Sequence, residues 1–358
     1  MDSAGIRRIL VVKLSALGDV VHALPVIGYL AKAAPDASID WAVDRRFASL
    51  LEGNPRLRRV VSLDLRTWKG RWAAPETGRE AAAAVRDLRE GRYDVAFDIQ
   101  GNAKSGVVTR LSGAPLRFGF DRRGVREVPN LLFTNRKVPS RPEDIHVTQK
   151  LLRVVAAPFG GTIPPSWDER GILLTPEEER EGERLLRELL PGASPRLLLH
   201  AGTTWNTKKM DPEFWAAIVR RLRERWAGLG VVLSWGTAEE RAEAETIRRL
   251  CGEPARILPQ RTLRELAAVC RACGYMAGPD TGPLHIAAAA GAKTVSIFRA
   301  TDGRRNAPPG PVHRFLQAPL PCTACLRKRC DRDAECRRSI PPEAAAEIAT
   351  LVGDGGDR

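Results

Sequence analysis

The chain has 358 residues, enough for two domains of ordinary size, each with its own core. A hydrophobic content of 43% with 31 Gly and 26 Pro excludes a disordered or collagen-like chain, and no apolar run is long enough to span a bilayer. The formal charge of +14 suits an anionic partner: nucleic acid, an acidic membrane surface or a phosphorylated substrate.

The aromatic fraction is 6% and shows no aromatic–basic repeat, which argues against a single-strand nucleic-acid binder. The first apolar piece, Ile9–Val12, is too short for a signal peptide and reads as a strand, so a cytoplasmic protein is expected. Seven cysteines without an export signal argue against a disulfide scaffold.

In chain order, Ile9-Leu10-Val11-Val12 predicts a buried parallel strand, apolar on both faces. The loop from Lys13 to Asp19 then presents Lys13, Ser15, Gly18 and Asp19 at the carboxyl edge of a sheet, before one helix predicted over Val20–Ile27. Strands are predicted at 39–43 and 60–63, with a short helix at 47–52 between them. The basic and aromatic stretch 66–72 has no period and predicts a loop. A helix over 79–90 precedes a strand at 93–98 that delivers Asp98, Gln100, Gly101, Lys104 and Ser105 to a strand-to-helix turn. A basic loop with Arg122, Arg123 and Arg126 and a helix near 147–155 complete this half. The Gly- and Pro-dense segment 160–166 predicts the linker, giving domains 1–165 and 166–358.

After the linker the pattern restarts. Thr175-Pro176-Glu177-Glu178-Glu179 opens a helix with a cap, a proline and first-turn acids. A strand at 196–200 ends in Ala201-Gly202-Thr203-Thr204-Trp205-Asn206-Thr207-Lys208-Lys209, and a helix at 212–226 leads to a strand at 231–235 and the turn bearing Glu239 and Glu240. A helix at 262–272 precedes Met276–His285, read as a strand end, a tight turn and a helix start that runs into the apolar Ile286–Ala290. Pro283 suits the first helical turn, where free amides and the helix dipole favour a phosphate. A strand at 294–298 ends at Arg299-Ala300-Thr301-Asp302. The shared rhythm predicts an α/β fold of two doubly wound domains facing one another across a cleft.

Thr203, Thr204 and Lys208, then Glu239, then Asp280, Thr281 and Gly282 each follow a predicted strand. Parallel strands would bring them to one edge, where hydroxyls, a lysine and a helix start suit a diphosphate and a carboxylate suits ribose hydroxyls. The same residues also fit ordinary polar loops. Asp19, at a helix start, can take a proton from an acceptor hydroxyl or cap the helix. Lys13 can hold an anion or pair with Asp19. The basic stretches 66–71 and 122–126 suit the carboxylates or phosphates of an acceptor, or form a solvated surface. His22 and His285 read as packed side chains. Cys322, Cys325, Cys330 and Cys336 could hold a structural zinc, with two disulfides or four free thiols as the other readings. Asp331-Arg332-Asp333 has the form of a DxD metal motif but not its setting. A basic nucleic-acid-binding protein with a zinc loop would explain charge and cysteines, but not polar groups repeated at strand ends.

The segment Lys13–Pro25 (KLSALGDVVHALP) resembles the N-terminal signature of the ADP-heptose:lipopolysaccharide heptosyltransferases, glycosyltransferase family nine. Tyr93–Ser105, His200–Lys209, Trp235-Gly236 with Glu239, and Asp280–Ala288 resemble further blocks of that family, in order and up to Phe298. The stretch Tyr93–Arg136 is most similar to the heptosyltransferase I branch, which adds the first heptose to Kdo on lipid A. The resemblance implies a GT-B fold, with the acceptor on the N-terminal domain and the ADP-sugar on the C-terminal one. It also implies inverting transfer with no cofactor required for catalysis, at the inner face of the inner membrane, with no nucleic acid as partner. In that frame Asp19 is the general base and Lys13 a nearby charge. Thr203, Thr204 and Lys208 contact the diphosphate, Glu239 the ribose, and Asp280, Thr281, Gly282 and His285 the heptose and phosphate. Arg66, Lys69, Arg71 and Arg126 correspond to the family's basic acceptor residues, with Gln100 and Lys104 beside them. Many relatives carry Tyr-Gly-Pro where this chain has Arg299-Ala300-Thr301-Asp302, which leaves room for a GT-B transferase using another nucleotide sugar.

Overall fold

A computed structural model describes residues 5–71, 74–167, 170–253 and 255–354, the side chains of Lys69 and of residues 351–354 lying outside the description. The chain divides into two compact units, Met1–Asp168 and Glu169–Arg358.

The first unit is built on β1 (Arg8–Val12), β2 (Ser38–Asp44), β3 (Arg59–Leu63), β4 (Val95–Asp98), β5 (Leu116–Phe120) and β6 (Arg136–Val138). All neighbours are parallel, in the order β3-β2-β1-β4-β5-β6. The second unit uses β7 (Arg196–Leu199), β8 (Gly230–Leu233), β9 (Ala255–Ile257), β10 (Gly274–Pro279), β11 (Lys293–Phe298) and β12 (His313–Gln317). Its order, β12-β11-β10-β7-β8-β9, is the same topology read from the other edge. In each sheet the winding reverses between the first and fourth strands, the place where open α/β sheets bind ligands beyond the strand ends. These are two doubly wound α/β domains, as the sequence predicts.

Alternation explains why such short strands are apolar throughout. Leu197 and Leu199 of β7 lie in one core cluster with Val231, Leu233 and Ala277, whereas Leu198 lies in the other with Val232 and Met276. Successive side chains enter opposite faces, and helices cover both. Local signals set the helix starts. Thr175 and Glu178 cap reciprocally at the start of Pro176–Leu189, Glu178 Oε2 accepting from Thr175 N at 2.8 Å and Thr175 Oγ1 from Glu178 N at 3.2 Å.

The structure departs from the local expectations in four ways. The loop expected at 66–72 contains a helix, Leu65–Gly70, because Asp64 accepts from Thr67 N at 3.3 Å and caps it. The single helix expected over Val20–Ile27 is two, Leu17–Val21 and Pro25–Ala33, since Pro25 lacks an N–H and begins a new first turn. Strands β6, β9 and β12 were not foreseen; each lies at a sheet edge, where partial exposure dilutes the apolar pattern. Interior β5 was also missed, its apolar run broken by Arg117 and Gly119.

Leu198 is 0% exposed in one of the two core layers of the second unit. Leu198→Ala should lower unfolding free energy by about 2–5 kcal/mol in urea titrations, with no change in secondary structure by circular dichroism.

Candidate active site

In the second unit the reversal point lies between β7 and β10. The loop after β7 runs through Thr203 and Thr204 into a 3-10 turn, Asn206–Lys208. The turn after β10 carries Asp280 and Thr281 into the helix Gly282–Ala289. Lys208 Nζ donates to Asp280 Oδ2 at 2.8 Å and to the Asp280 carbonyl at 3.4 Å, and lies 4.9 Å from the centre of the Trp205 ring. On the other side, His285 Nε2 lies 3.2 Å from Asp280 Oδ1. Burial pushes the Asp280 carboxyl up, but the contacts with His285 and Lys208 outweigh it and hold the group well below the usual carboxylate range. Asp280 therefore stays ionised while almost wholly buried, and it fixes the direction of the lysine.

An ammonium has three donors. The two bonds to Asp280 leave one for an outside acceptor. The Thr281 side chain makes no cap bond to the helix that follows it, and Pro283 has no N–H to satisfy. The first amides of that helix and its dipole are open to an anion without competition from a side-chain cap. Thr203 is buried and Thr204 exposed in the same loop.

Glu239 is exposed in the first turn of the helix Ala238–Cys251. The carboxylate that lies against the β7 loop is its neighbour, Glu240, which accepts from Gly236 N at 2.8 Å. A Cβ placed on Gly202 would lie 2.4 Å from the Glu240 carboxyl carbon, so this approach needs glycine. Behind it, His200 Nδ1 lies 3.0 Å from Ser234 Oγ; burial lowers the ring's pKa against the nearby Glu240 charge. Sequence reasoning selected Glu239. The cap by Thr237, which accepts from Glu240 N at 3.2 Å, was the signal that turns Glu240 toward the loop.

In the first unit the reversal point lies between β1 and β4. Asp19 sits in the first turn of Leu17–Val21, part-exposed, its Oδ2 accepting from Ala16 N at 3.3 Å and lying 3.5 Å from Arg126 Nη1. Lys13 is buried and donates to the Ile99 carbonyl at 3.2 Å. Gln100 is buried too, its Oε1 accepting from Ser15 N at 3.1 Å, so it supports the loop that carries Asp19. Beneath it Asp98 accepts from Gln100 N, Gly101 N, Ser105 Oγ and Asn130 Nδ2 at 2.6–3.1 Å. Burial raises the Asp98 pKa against those four bonds. Gly101 takes a φ of +74°, and its carbonyl receives both Arg126 N and Glu127 N, which brings Arg126 toward Asp19. Asp98 and Asn130 are thus supports that sequence reasoning did not assign. Lys104, Arg66 and Arg71 are exposed, and the Lys69 side chain lies outside the described residues.

Residues 81–334 match the family model described as glycosyltransferase family 9 (heptosyltransferase). The chain belongs to that family. Lipopolysaccharide heptosyltransferase 1 of Pseudomonas aeruginosa is 34% identical over 325 residues, 90% of this chain and 87% of that protein. The protein of the same name from Escherichia coli K12 is 26% identical over 88% of this chain and 93% of its own length. Among solved structures, E. coli heptosyltransferase WaaC with ADP superposes with a TM-score of 0.78 at 24% identity, covering 96% of this chain and 99% of that one. WaaC with ADP-2-deoxy-2-fluoro heptose gives a TM-score of 0.71 at 26% identity, covering 89% and 97%.

In this family 9 glycosyltransferase the four cysteines for which zinc, two disulfides or four free thiols were the open readings all lie in the described segment 320–337. All seven cysteines are free thiols, Cys322 and Cys325 are exposed, and Cys336 packs against a core cluster. Among the described residues no three His, Cys, Asp or Glu side chains gather as a metal-holding group. Asp333, from the DxD-like triplet, is taken by ion pairs with Arg299 and Arg337.

The Asp280 carboxyl is more acidic folded than unfolded, so its stabilisation is complete above the unfolded value near pH 4 and is lost as pH falls below it. The stability gap between wild type and Asp280→Asn should therefore narrow steadily in urea titrations below about pH 4. A gap that widens on acidification contradicts the pairing.

Proposed function

We propose that this glycosyltransferase moves heptose from ADP-heptose to the Kdo–lipid A inner core of lipopolysaccharide, with inversion at the anomeric carbon. One observation carries the reading. A part-exposed carboxylate, Asp19, stands at the switch point of the first sheet in a chain 34% identical to a lipopolysaccharide heptosyltransferase 1.

In this mechanism Asp19 accepts the proton of an acceptor hydroxyl while that oxygen attacks the anomeric carbon. The bond to the diphosphate oxygen breaks and ADP leaves. Attack opposite the leaving group inverts the centre, as in single-displacement glycosidases. The leaving charge is met by the free donor of Lys208, by Thr203 and Thr204, and by the helix start at Thr281-Gly282, with Asp280 and His285 keeping Lys208 aimed. Glu240, rather than Glu239, is the better placed carboxylate for ribose hydroxyls. Lys13 and Gln100 hold the loop around Asp19, while Arg66, Lys69, Arg71, Lys104 and Arg126 would meet acceptor carboxylates and phosphates.

The acceptor's lipid also bears on location. Among the described residues no helix is long and apolar enough to cross a membrane. Peripheral binding to an anionic bilayer is supported by the 3-10 helix Val128–Leu132, where Val128 is 51% and Leu132 84% exposed. Exposed Arg122, Arg123, Arg126 and Arg136 flank it in sequence. Each basic residue near such a surface contributes about 1 kcal/mol.

Asp19→Asn should lower transfer on the order of 10²–10⁴-fold in a radiolabelled-acceptor assay and leave ADP affinity near wild type. Lys208→Ala should instead weaken ADP roughly tenfold or more by calorimetry. Substantial turnover by Asp19→Asn removes that residue from its role. For the membrane, Leu132→Asp should reduce co-sedimentation with phosphatidylglycerol vesicles without changing turnover of a detergent-dispersed acceptor. Equal sedimentation of both proteins argues against this surface.

A further inference from the structure

The cysteine-rich segment 320–337 and Arg299 are strongly marked in the sequence, yet the transfer mechanism uses neither. The structure places them together against the loop that carries Lys208. Ala324 N donates to the Arg299 carbonyl at 3.0 Å, and Leu326 N to the Ala300 carbonyl at 2.8 Å. Thr207 Oγ1 donates to the Arg327 carbonyl at 2.6 Å, and Asn206 Nδ2 to Asp333 Oδ2 at 3.4 Å. Lys328 Nζ lies 5.2 Å from the centre of the Trp205 ring, which Lys208 also approaches.

Arg299 stands between the two, its side chain 0% exposed. One arm, Nη1, donates to the Lys209 carbonyl, the residue next to Lys208. The other, Nη2, donates to the Asp333 carboxylate at 2.6 Å and to the Asp333 carbonyl at 2.8 Å. Asp333 is held in turn by Arg337 at 2.8 Å, and Arg337 pairs with Asp211 beyond the donor loop. A guanidinium this deep is tolerable only while its carboxylate stays in place, so loop and segment are fixed as one unit. An ordinary surface loop would not need an arginine buried beneath it.

We propose that Arg299 and Asp333 are positioning residues for Lys208. Segment 320–337 is then a clasp that holds the loop 203–209 in the shape that receives the donor diphosphate. The inference rests on the donor role given to Lys208 above. Arg299, the residue after β11, faces inward to a partner that this chain supplies from its own cysteine-rich segment.

The test uses the full chain with Asp333→Asn, Asp333→Glu and the reference Lys208→Ala, reading ADP affinity by calorimetry, deuterium uptake in peptides covering 203–209, and KM against kcat. Asp333→Asn should speed exchange across 203–209, weaken ADP roughly tenfold and raise donor KM more than it lowers kcat, the scale of one charged hydrogen bond. Asp333→Glu should recover part of each effect. Wild-type exchange across 203–209 in Asp333→Asn overturns the clasp. So does unchanged ADP affinity in Asp333→Asn when Lys208→Ala loses it, because the pair is then structural only. If Lys208→Ala itself keeps ADP affinity, the donor reading fails, and faster exchange in Asp333→Asn still upholds the mechanical link. Should Asp333→Asn not fold, Thr207→Val removes one clasp bond at the loop and should give the same pattern, reduced in size.

Discussion

A carboxylate taken out of water must be paired, and at Asp280 the partners are Lys208 and His285. The pairing joins two loops that are 72 residues apart in sequence and become neighbours only because β7 and β10 lie side by side. Everything assigned to the donor side follows from it. The lysine is aimed, one of its donors remains free, and the helix after Thr281 begins at a place where its amides have no competing cap. Remove the parallel pairing and the same residues are scattered polar groups.

The first unit solves a related problem with a different support. Asp98, buried under the turn after β4, collects four hydrogen bonds, and the turn it shapes reaches out twice. Gln100 holds Ser15, and the Gly101 carbonyl holds the backbone at Arg126. The first contact ends at the short stretch that carries Asp19, and the second at the loop from which Arg126 Nη1 approaches Asp19 Oδ2 to 3.5 Å. A part-exposed carboxylate thus rests on a buried one, which moves the cost of order away from the surface.

Much of this was legible in the sequence where one strand, one turn and one helix sit consecutively. Lys13–Asp19 and Asp280–His285 were readable because an apolar run, a glycine turn and a helix start follow each other within a few residues. What escaped depends on distance or on a single position. Arg299 reads as a cation at a strand end, since Asp333 lies 34 residues further on. Glu239 and Glu240 are indistinguishable without knowing that Gly202 makes room for only one of them. The helix at Leu65–Gly70 hid because its cap, Asp64, lies outside the basic stretch, and the edge strands β6, β9 and β12 hid because few of their side chains are buried.

The alternation in β7 carries a consequence for how the protein tolerates change. Leu197 and Leu199 belong to one layer and Leu198 to the other, so an inserted or deleted residue there would exchange the occupants of both layers at once. The same slip would swing Gly202 away from Glu240 and Lys208 away from Asp280. Packing and the Lys208–Asp280 contact are geared to one count of residues between Arg196 and Lys208.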